Sequence, residues 1–293
     1  MKELLTICFI LIHTWSLASN NDQAPWYIIQ ISDPQLGFIE KNKSIEQETM
    51  LFKKAIQKIN SLQPEILVIT GDFVNSSHNI EQIKKFKELC HLISHEILLY
   101  KVPGNHDIGN SCNKENIDFY NAQYGEDHFS ILHKGVQLIG INSCLIKDNA
   151  PQQKHQLQWL RKELKQKYKI KQRIIFGHHP FFLSNISEKE SYSNMPTKIR
   201  TIYNALFLKY HVSHYFAGHL HNNATAENNG IKYITTSALG KQLGNARSGI
   251  RIIQIKNKKI SHLYVPIEDI PASQTELDLS LIHISEPTRH AQI

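Results

Sequence analysis

Residues 26–35 read WYIIQISDPQ, an apolar run of strand type that ends in an aspartate. Two similar runs follow, ILVI at residues 66–69 and EILLYKV at residues 96–102. Between the runs, apolar residues recur at helical spacing over residues 44–62 and 83–93. This β-α-β-α-β order predicts a parallel sheet with right-handed crossovers.

The rest of the chain mixes strand and helix patterns. Residues 128–142 predict a hairpin, and Leu157, Leu160 and Leu164 mark a helix. Residues 181–197 are polar and predict a loop, with a helix after Pro196. Further strands are predicted at residues 173–176, 212–216, 232–236, 250–255 and 260–265. Periodicity alone indicates an α/β or α+β fold and does not choose between them.

Five short polar motifs follow the predicted strands. The carboxyl ends of strands in open α/β sheets are where ligand sites assemble. A glycine before the polar residue permits a sharp turn and a close backbone approach. The motifs are Asp33-Pro34-Gln35, Gly71-Asp72, Gly104-Asn105-His106-Asp107, Gly177-His178-His179-Pro180 and Gly218-His219-Leu220-His221.

Six residues of these motifs supply two carboxylates, an amide oxygen and three imidazoles, namely Asp33, Asp72, Asn105, His178, His219 and His221. That donor set suits two divalent cations, and mixed oxygen and nitrogen ligands favour Mn, Fe or Zn over Ca. Two such cations can orient a phosphate and stabilise an in-line transition state. Each motif alone is weak, because a Gly-Asp after a strand is usually only a turn. Their combination in this order predicts a dinuclear metal site.

The order D-x-[H/Q], GD, GNHD, GHHP, GHLH resembles the signature of the calcineurin-like metallophosphoesterase superfamily, over residues 33–221. The segments DPQ, GNHDIGN and SALGKQLG resemble the branch of calcineurin-like phosphoesterase domain-containing protein 1, whose members are described as serine/threonine-type phosphatases. The resemblance implies an α/β fold, a four-layer α/β/β/α sandwich of two mixed sheets flanked by helices.

The resemblance also implies a role for each motif residue. His106, oriented by Asp107, would protonate the leaving group or stabilise its charge. A metal-bound water or hydroxide would be the nucleophile, without a phosphoenzyme. The implied metal ligands are Asp72 as the bridge, Asp33 and His221 at the first ion, and Asn105, His178 and His219 at the second ion.

Gln35 departs from the superfamily pattern, in which this position is usually a histidine. A glutamine can offer a neutral carbonyl oxygen or leave the position to water. Either choice should weaken or alter the first metal site relative to an imidazole. We therefore expect an asymmetric pair of sites, with Gln35 at the weaker one.

The expected activity is metal-dependent hydrolysis of phosphate monoesters, such as those of phosphoproteins. A phosphodiesterase or nucleotide hydrolase on the same core is the alternative enzyme, and a non-catalytic metal-binding module is the alternative outside enzymes. The net charge of +7 mildly favours anionic, phosphorylated partners. Nucleic-acid binding is not expected, and the sequence leaves the oligomeric state open.

Several residues near the motifs have two interpretations. His179 is expected to point away from the metals. Tyr192 and Asn194 could line a substrate rim or belong to an ordinary exposed loop. Arg247 and Arg251 could contact phosphate, although at least one of them is expected to be structural.

Both ends of the chain are expected to lie outside the domain. Lys2, an apolar run over residues 4–17 and a small-residue exit predict a signal peptide at residues 1–18 and a secreted or periplasmic protein without stable membrane insertion after cleavage. An uncleaved membrane anchor or a buried first helix are the alternatives. Residues 19–278 are expected to form a single domain. Residues 279–293 resemble a translated sequencing-adapter fragment and are interpreted as a non-native tail.

Cysteines are sparse, with four in the chain. Cys8 lies in the predicted signal peptide, and Cys90 lies on the apolar side of a helical pattern. An oxidising compartment would allow one disulfide, for which Cys112 and Cys144 form the candidate pair.

Overall fold

The computed structural model describes residues 24–109, 111–166, 170–257 and 259–278. The predicted signal peptide, Cys8 and the predicted tail lie outside these ranges. The strands are β1 (Trp26–Ile31), β2 (Ile66–Thr70), β3 (Leu98–Val102), β4 (Phe129–His133), β5 (Val136–Gly140), β6 (Gln172–Phe176), β7 (His214–Ala217), β8 (Ala224–Asn228), β9 (Ile231–Thr235), β10 (Gly249–Lys256) and β11 (Lys259–Pro266). The helices are α1 (Glu46–Leu62), α2 (Ile80–Cys90), α3 (Asn105–Ile108), α4 (Lys114–Tyr124), α5 (Ser143–Lys147), α6 (Gln153–Leu164) and α7 (Thr197–Lys209), and a 3-10 turn spans Ile267–Asp269.

The strands form two mixed sheets. The first has the order β11-β10-β1-β2-β3, and the second has the order β4-β5-β6-β7-β9-β8. In the first sheet β1, β2 and β3 are parallel. The strand β10 is antiparallel to β1, and β11 is antiparallel to β10. In the second sheet β5, β6, β7 and β9 are parallel, and β4 and β8 are antiparallel edges. The predicted pair of mixed sheets is confirmed.

Alternate residues of the central strands enter different cores, as the two-residue period of a strand requires. Ile29 of β1 packs with Phe52 of α1 on the outer face of the first sheet. Ile28 points the other way and packs with Phe176 and Phe216 of the second sheet. A third core joins the outer face of the second sheet to α6 and α7. The layers are therefore helix, sheet, sheet and helix, as the resemblance implied.

The sequence patterns did not predict the helices α3, α4 and α5, the strand β8 or the 3-10 turn. The helix α4 has a weakly segregated apolar face, and it is capped by Asn113, whose side chain accepts a hydrogen bond from Asn116 N at 2.9 Å. The strand β8 is a polar edge strand, which shows no apolar run. The short helix α5 begins after Asn142, which accepts from Cys144 N at 3.1 Å. Local polar caps and edge pairing, rather than apolar periodicity, define these elements.

The candidate disulfide is not formed in the structure. Cys112 and Cys144 are buried free thiols, and burial raises the pKa of Cys112 to about 12. The sulfur of Cys144 lies 3.8 Å from the Pro103 carbonyl oxygen. Cys90 is a partly buried thiol packed against the first core, which agrees with its predicted role as a small apolar residue.

No helix within the described ranges is both long and apolar enough to span a bilayer.

Candidate metal centre

The loops that leave the parallel strands converge at one edge of the two sheets. Asp33 follows β1 and Asp72 follows β2, and both carboxylates are buried. Two backbone bonds join their loops, from Asp33 N to the Gly71 oxygen at 3.2 Å and from Gln35 N to the Asp72 oxygen at 2.8 Å. Ligand atoms of Asp33, Asp72 and His178 all lie within 4.8 Å of one another. Two sheets therefore contribute to one compact set of groups that could hold a metal ion.

The His178 ring is held so that one nitrogen faces the centre. Nδ1 lies 2.9 Å from the Thr70 carbonyl oxygen and donates to it. Nε2 lies 3.1 Å from Asn105 Oδ1, 3.4 Å from Asp72 Oδ2 and 3.2 Å from His219 Nδ1. Because a carbonyl can only accept, the Nδ1 bond leaves the Nε2 lone pair available to a cation.

His221 is oriented in the same way on the other side. Its Nδ1 lies 2.6 Å from the Lys241 carbonyl oxygen, and its Nε2 lies 3.4 Å from Asp33 Oδ1. Asp33 also accepts the backbone N–H of His219, at 3.0 Å from Oδ2. Following the ligand assignment that the resemblance implied, we divide these residues into two groups. We name them the first cluster (Asp33, Gln35, His221) and the second cluster (Asp72, Asn105, His178, His219).

Gln35 is buried, and the two ends of its side-chain amide differ in their contacts. Its Nε2 donates to Asn75 Oδ1 at 3.3 Å. Its Oε1 is buried without a hydrogen-bond partner among the described residues. A buried carbonyl oxygen without a donor is costly unless a ligand satisfies it. The amide oxygen of Gln35 is therefore available as a neutral metal ligand.

Five of these seven residues have left-handed backbone conformations, which non-glycine residues rarely adopt. Such strain persists where surrounding contacts fix it and is concentrated at functional sites. The φ angles are 50° at Asp33, 37° at Gln35, 51° at Asp72, 75° at His219 and 50° at His221.

Two motif glycines are required by close packing. A Cβ at Gly104 would lie 2.1 Å from Asp72 Oδ1, and a Cβ at Gly218 would lie 2.6 Å from Asp33 Oδ2. Neither backbone position can hold a side chain without displacing a carboxylate. The expectation that the glycines permit close backbone approach is confirmed at these two positions.

The charges of the second cluster are coupled. Burial would raise the pKa of Asp72, but His178 more than offsets this and lowers it. Burial disfavours the charged form of His178, but the Asp72 carboxylate raises its pKa to about 9. Burial and the His178 charge lower the pKa of His219 to about 4. At neutral pH the His178 proton therefore lies among the atoms that would bind a cation, so cation binding must release it.

His106 and Asp107 do not interact as the resemblance implied. His106 Nδ1 lies 2.8 Å from the Asn75 carbonyl oxygen, which orients the ring. Asp107 instead accepts three backbone amides, from Phe73 at 2.7 Å, Val74 at 3.3 Å and Gly104 at 2.8 Å. Assigning Asp107 the orientation of His106 was therefore wrong, because both carboxylate oxygens are engaged in holding the loops together.

His179 does not point away from the centre, contrary to the expectation. Its ring is buried and lies 4.4 Å, centroid to centroid, from the His219 ring. Its Nδ1 lies 3.2 Å from Ser143 Oγ. The same hydroxyl accepts His178 N at 2.9 Å and His179 N at 2.8 Å, so its proton is free to be donated to His179 Nδ1. Ser143 thus positions the loop that contains His178.

Sequence patterns gave no signal for Ser143 or Asn75. Ser143 lies in the unpredicted helix α5, and Asn75 acts through its backbone carbonyl. Only the cap residue Asn142, before a short run of helix-compatible residues, could have indicated α5.

The two arginines considered for phosphate binding have other partners. Arg247 is exposed and pairs with Asp269. Arg251 is buried and donates from Nε to Thr236 Oγ1 at 2.7 Å and from Nη2 to Asn223 Oδ1 at 2.9 Å. Arg251 therefore supports the segment after His221 and is structural.

The rim residues of the loop at 181–197 have different roles. Asn194 is buried and hydrogen-bonds within the loop, whereas Tyr192 is exposed beside His219. A cavity of about 250 Å³ opens on the His106 side of the centre, with polar residues in its wall. Its lining includes Asn75, Ser76, Ser77, Asn105, His106 and Asn116.

Comparison with known proteins gives matches to a family, to named relatives and to solved structures. The family described as "Calcineurin-like phosphoesterase" matches residues 27–223. The Bos taurus protein named serine/threonine-protein phosphatase CPPED1 is 30% identical over 278 residues, covering 88% of this chain and 88% of that protein. A dimetal phosphatase structure from Danio rerio covers 83% of this chain and 99% of its own, at 12% identity and a TM-score of 0.60.

A purple acid phosphatase structure from yellow lupin (Lupinus luteus) seeds gives a TM-score of 0.63 at 15% identity, covering 85% of this chain and 52% of that chain. At such low identity the two solved structures support the sandwich fold and nothing further.

Proposed function

This chain belongs to the calcineurin-like phosphoesterase family, and we propose that it hydrolyses phosphate monoesters at a dinuclear metal centre formed by the first and second clusters. The observation that supports this most strongly is the orientation of His178 and His221. Each ring donates Nδ1–H to a backbone carbonyl and directs Nε2 at a buried carboxylate. This arrangement is typical of metal-binding histidines.

The donor chemistry favours two ions of Mn, Fe or Zn. The second cluster offers carboxylate, amide oxygen and two imidazoles, and the first offers carboxylate, imidazole and the unpaired amide oxygen of Gln35. Bound in these clusters, two divalent cations would supply an activated water and neutralise charge on the phosphoryl group. With one neutral oxygen in place of an imidazole, the first cluster is expected to bind its ion more weakly.

His106 is suited to act on the leaving group. Its Nδ1 is engaged by the Asn75 carbonyl, so Nε2 is the nitrogen available to hold and deliver a proton. Its backbone N–H donates to Asp72 Oδ1 at 2.9 Å, which fixes His106 next to the second cluster. Proton delivery from Nε2 to the leaving oxygen would avoid the formation of a free alkoxide.

The polar cavity beside His106 is a suitable place for that leaving group. Its volume of about 250 Å³ and its amide and hydroxyl walls suit a hydroxylated, uncharged group. The Bos taurus relative is named a serine/threonine-protein phosphatase, which favours phosphoprotein-type monoesters for this chain as well. Hydrolysis of a diester would require side chains that hold its second ester group.

A substrate panel tests the proposal. Chelator-treated protein is reloaded with Mn and assayed on an aryl phosphate, a bis-aryl phosphodiester and a phosphoserine peptide. We expect metal-dependent hydrolysis with a clear preference for monoesters, and loss of turnover in His178→Ala. A preference for the diester would favour the alternative enzyme. Metal binding without any turnover would favour the non-catalytic module.

We also propose that the protein is exported, with cleavage before Ser19. The support is the N-terminal pattern of a charged start, a short apolar run and small residues. Mass spectrometry of the protein recovered from a secreting host would give an N-terminus at Ser19. A chain that retains its first residues in the membrane fraction would favour the uncleaved anchor.

A further inference from the structure

Tyr192 is a large aromatic residue that remains 70% exposed although its ring contacts a residue of the second cluster. The centroids of the Tyr192 and His219 rings are 4.7 Å apart, and their planes differ by 43°. One face of the phenol is thus close to the centre while much of the ring is open to solvent. A side chain in this position can contact a molecule that enters the centre.

The loop that contains Tyr192 is held by the buried side chain of Arg200. This residue is fully buried, and its guanidinium donates to backbone carbonyls of the loop. Nε lies 2.6 Å from the Met195 oxygen, and Nη1 lies 3.1 Å from the Ile186 oxygen and 2.5 Å from the Glu188 oxygen. A planar guanidinium with several fixed acceptors fixes both position and direction.

Two further side chains hold the loop beside Tyr192. Lys147 Nζ donates to the Ser191 oxygen at 2.8 Å, immediately before the tyrosine. The Glu188 carboxylate accepts Asn194 Nδ2 at 2.7 Å and Ser184 N at 2.9 Å. The backbone on both sides of Tyr192 is therefore fixed before any ligand binds, which lowers the entropy cost of using it in binding.

The phenol lies within reach of the Asn105 side chain. Asn105 Oδ1 already faces His178 Nε2 at 3.1 Å, so Nδ2 is the end of the amide available to the phenol, and an amide N–H can only donate. A phenol oxygen that accepts from this amide does not use its own proton in the contact. That proton remains available for a third partner.

We propose that Tyr192 is a substrate-binding residue whose hydroxyl donates to a phosphoryl oxygen held at the second cluster. The contact with His219, the fixed loop and the donor role of Asn105 together place the free O–H at the mouth of the centre. This inference rests on the proposed function for its substrate class, a phosphate monoester.

Tyr192→Phe tests the inference because it removes only the hydroxyl and keeps the ring contact with His219. The matched control is Tyr210→Phe, since Tyr210 follows α7 and its backbone carbonyl accepts Arg173 from the beginning of β6, at the opposite end from His178. The probe is inorganic phosphate, titrated by calorimetry into the Mn-loaded full chain and used as an inhibitor of aryl phosphate hydrolysis. Mn content is measured in each sample.

We expect phosphate to bind about ten-fold or more weakly to Tyr192→Phe, as for loss of a hydrogen bond to a charged group. Tyr210→Phe and the Mn content should match the wild type. Equal phosphate affinity in Tyr192→Phe and the wild type would overturn the inference. A loss of Mn from Tyr192→Phe would also overturn it, as would the absence of phosphate binding to the wild type. Phosphate binding by a wild type that lacks turnover would contradict the proposed function instead, so the two failures are distinguishable.

Discussion

Asp107 offers a sharp test, because the structure assigns it to stability and the family resemblance assigned it to catalysis. Asp107→Ala would leave the buried amides of Phe73, Val74 and Gly104 without their acceptor. An unsatisfied buried donor costs ~1–3 kcal/mol, so three should cost about 3–9 kcal/mol. That is a large part of the ~5–15 kcal/mol that stabilises a typical domain.

Urea unfolding in the presence of chelator measures this loss without a contribution from bound metal. Asp107→Asn is the milder partner variant, since it keeps one acceptor oxygen and should lose less stability. The kcat of the folded fraction is then compared with that of His106→Ala. If Asp107→Asn is as stable as the wild type yet loses as much kcat as His106→Ala, Asp107 acts on His106 and our reasoning is refuted.

Three further outcomes follow from the same contacts. His106→Ala should lower kcat ~10²-fold with unchanged metal content, as expected of a lost general acid, and a wild-type rate would exclude that role. Ser143→Ala removes the acceptor of two ligand-loop amides, so Mn affinity should fall ~10-fold or more by calorimetry, whereas Ser187→Ala on the outer loop should have no effect. Mn affinity should also rise with pH. A pKa of about 9 means that one proton must leave His178, which gives ~10-fold per unit below that pH. Calorimetry in buffers of different ionisation enthalpy should show proton release, and none would contradict the assignment.

The raised pKa of His178 also makes the stability of the chelated protein depend on pH. The folded pKa of His178 is raised relative to the unfolded value, so its ion pair with Asp72 stabilises the fold fully below pH ~6.5. This contribution is lost as pH rises through about 9. In the Mn-loaded protein the proton is already displaced, so the same loss should be absent.

The first half of the fold was predictable because β1 and β2 are buried along their whole length and α1 and α2 have clear apolar faces. The runs before Asp33 and Asp72 each end in a polar residue, which marked the edge where the site forms. The motif order then limited the fold to one architecture. In these segments local pattern and tertiary structure agree, as expected for a foldable sequence.

Other parts of the site depend on contacts that side-chain patterns do not encode. The partner of His106 is the backbone carbonyl of Asn75, and any residue type could supply one. The left-handed conformations of Asp33 and Asp72 are imposed by neighbouring loops rather than by their own propensities. The strand β8 is polar and lies at the edge of the second sheet, where it pairs with a neighbouring strand on one side only. Such features become visible only when the two sheets are placed together.

The most direct test of a dinuclear centre is the number of ions needed for activity. Chelated protein is titrated with Mn while bound metal and aryl phosphate hydrolysis are followed together. We predict two ions per chain, with the second cluster filling first and full activity reached only when the weaker first cluster is filled. Full activity in chelated protein, or at one ion per chain, would contradict a dinuclear centre.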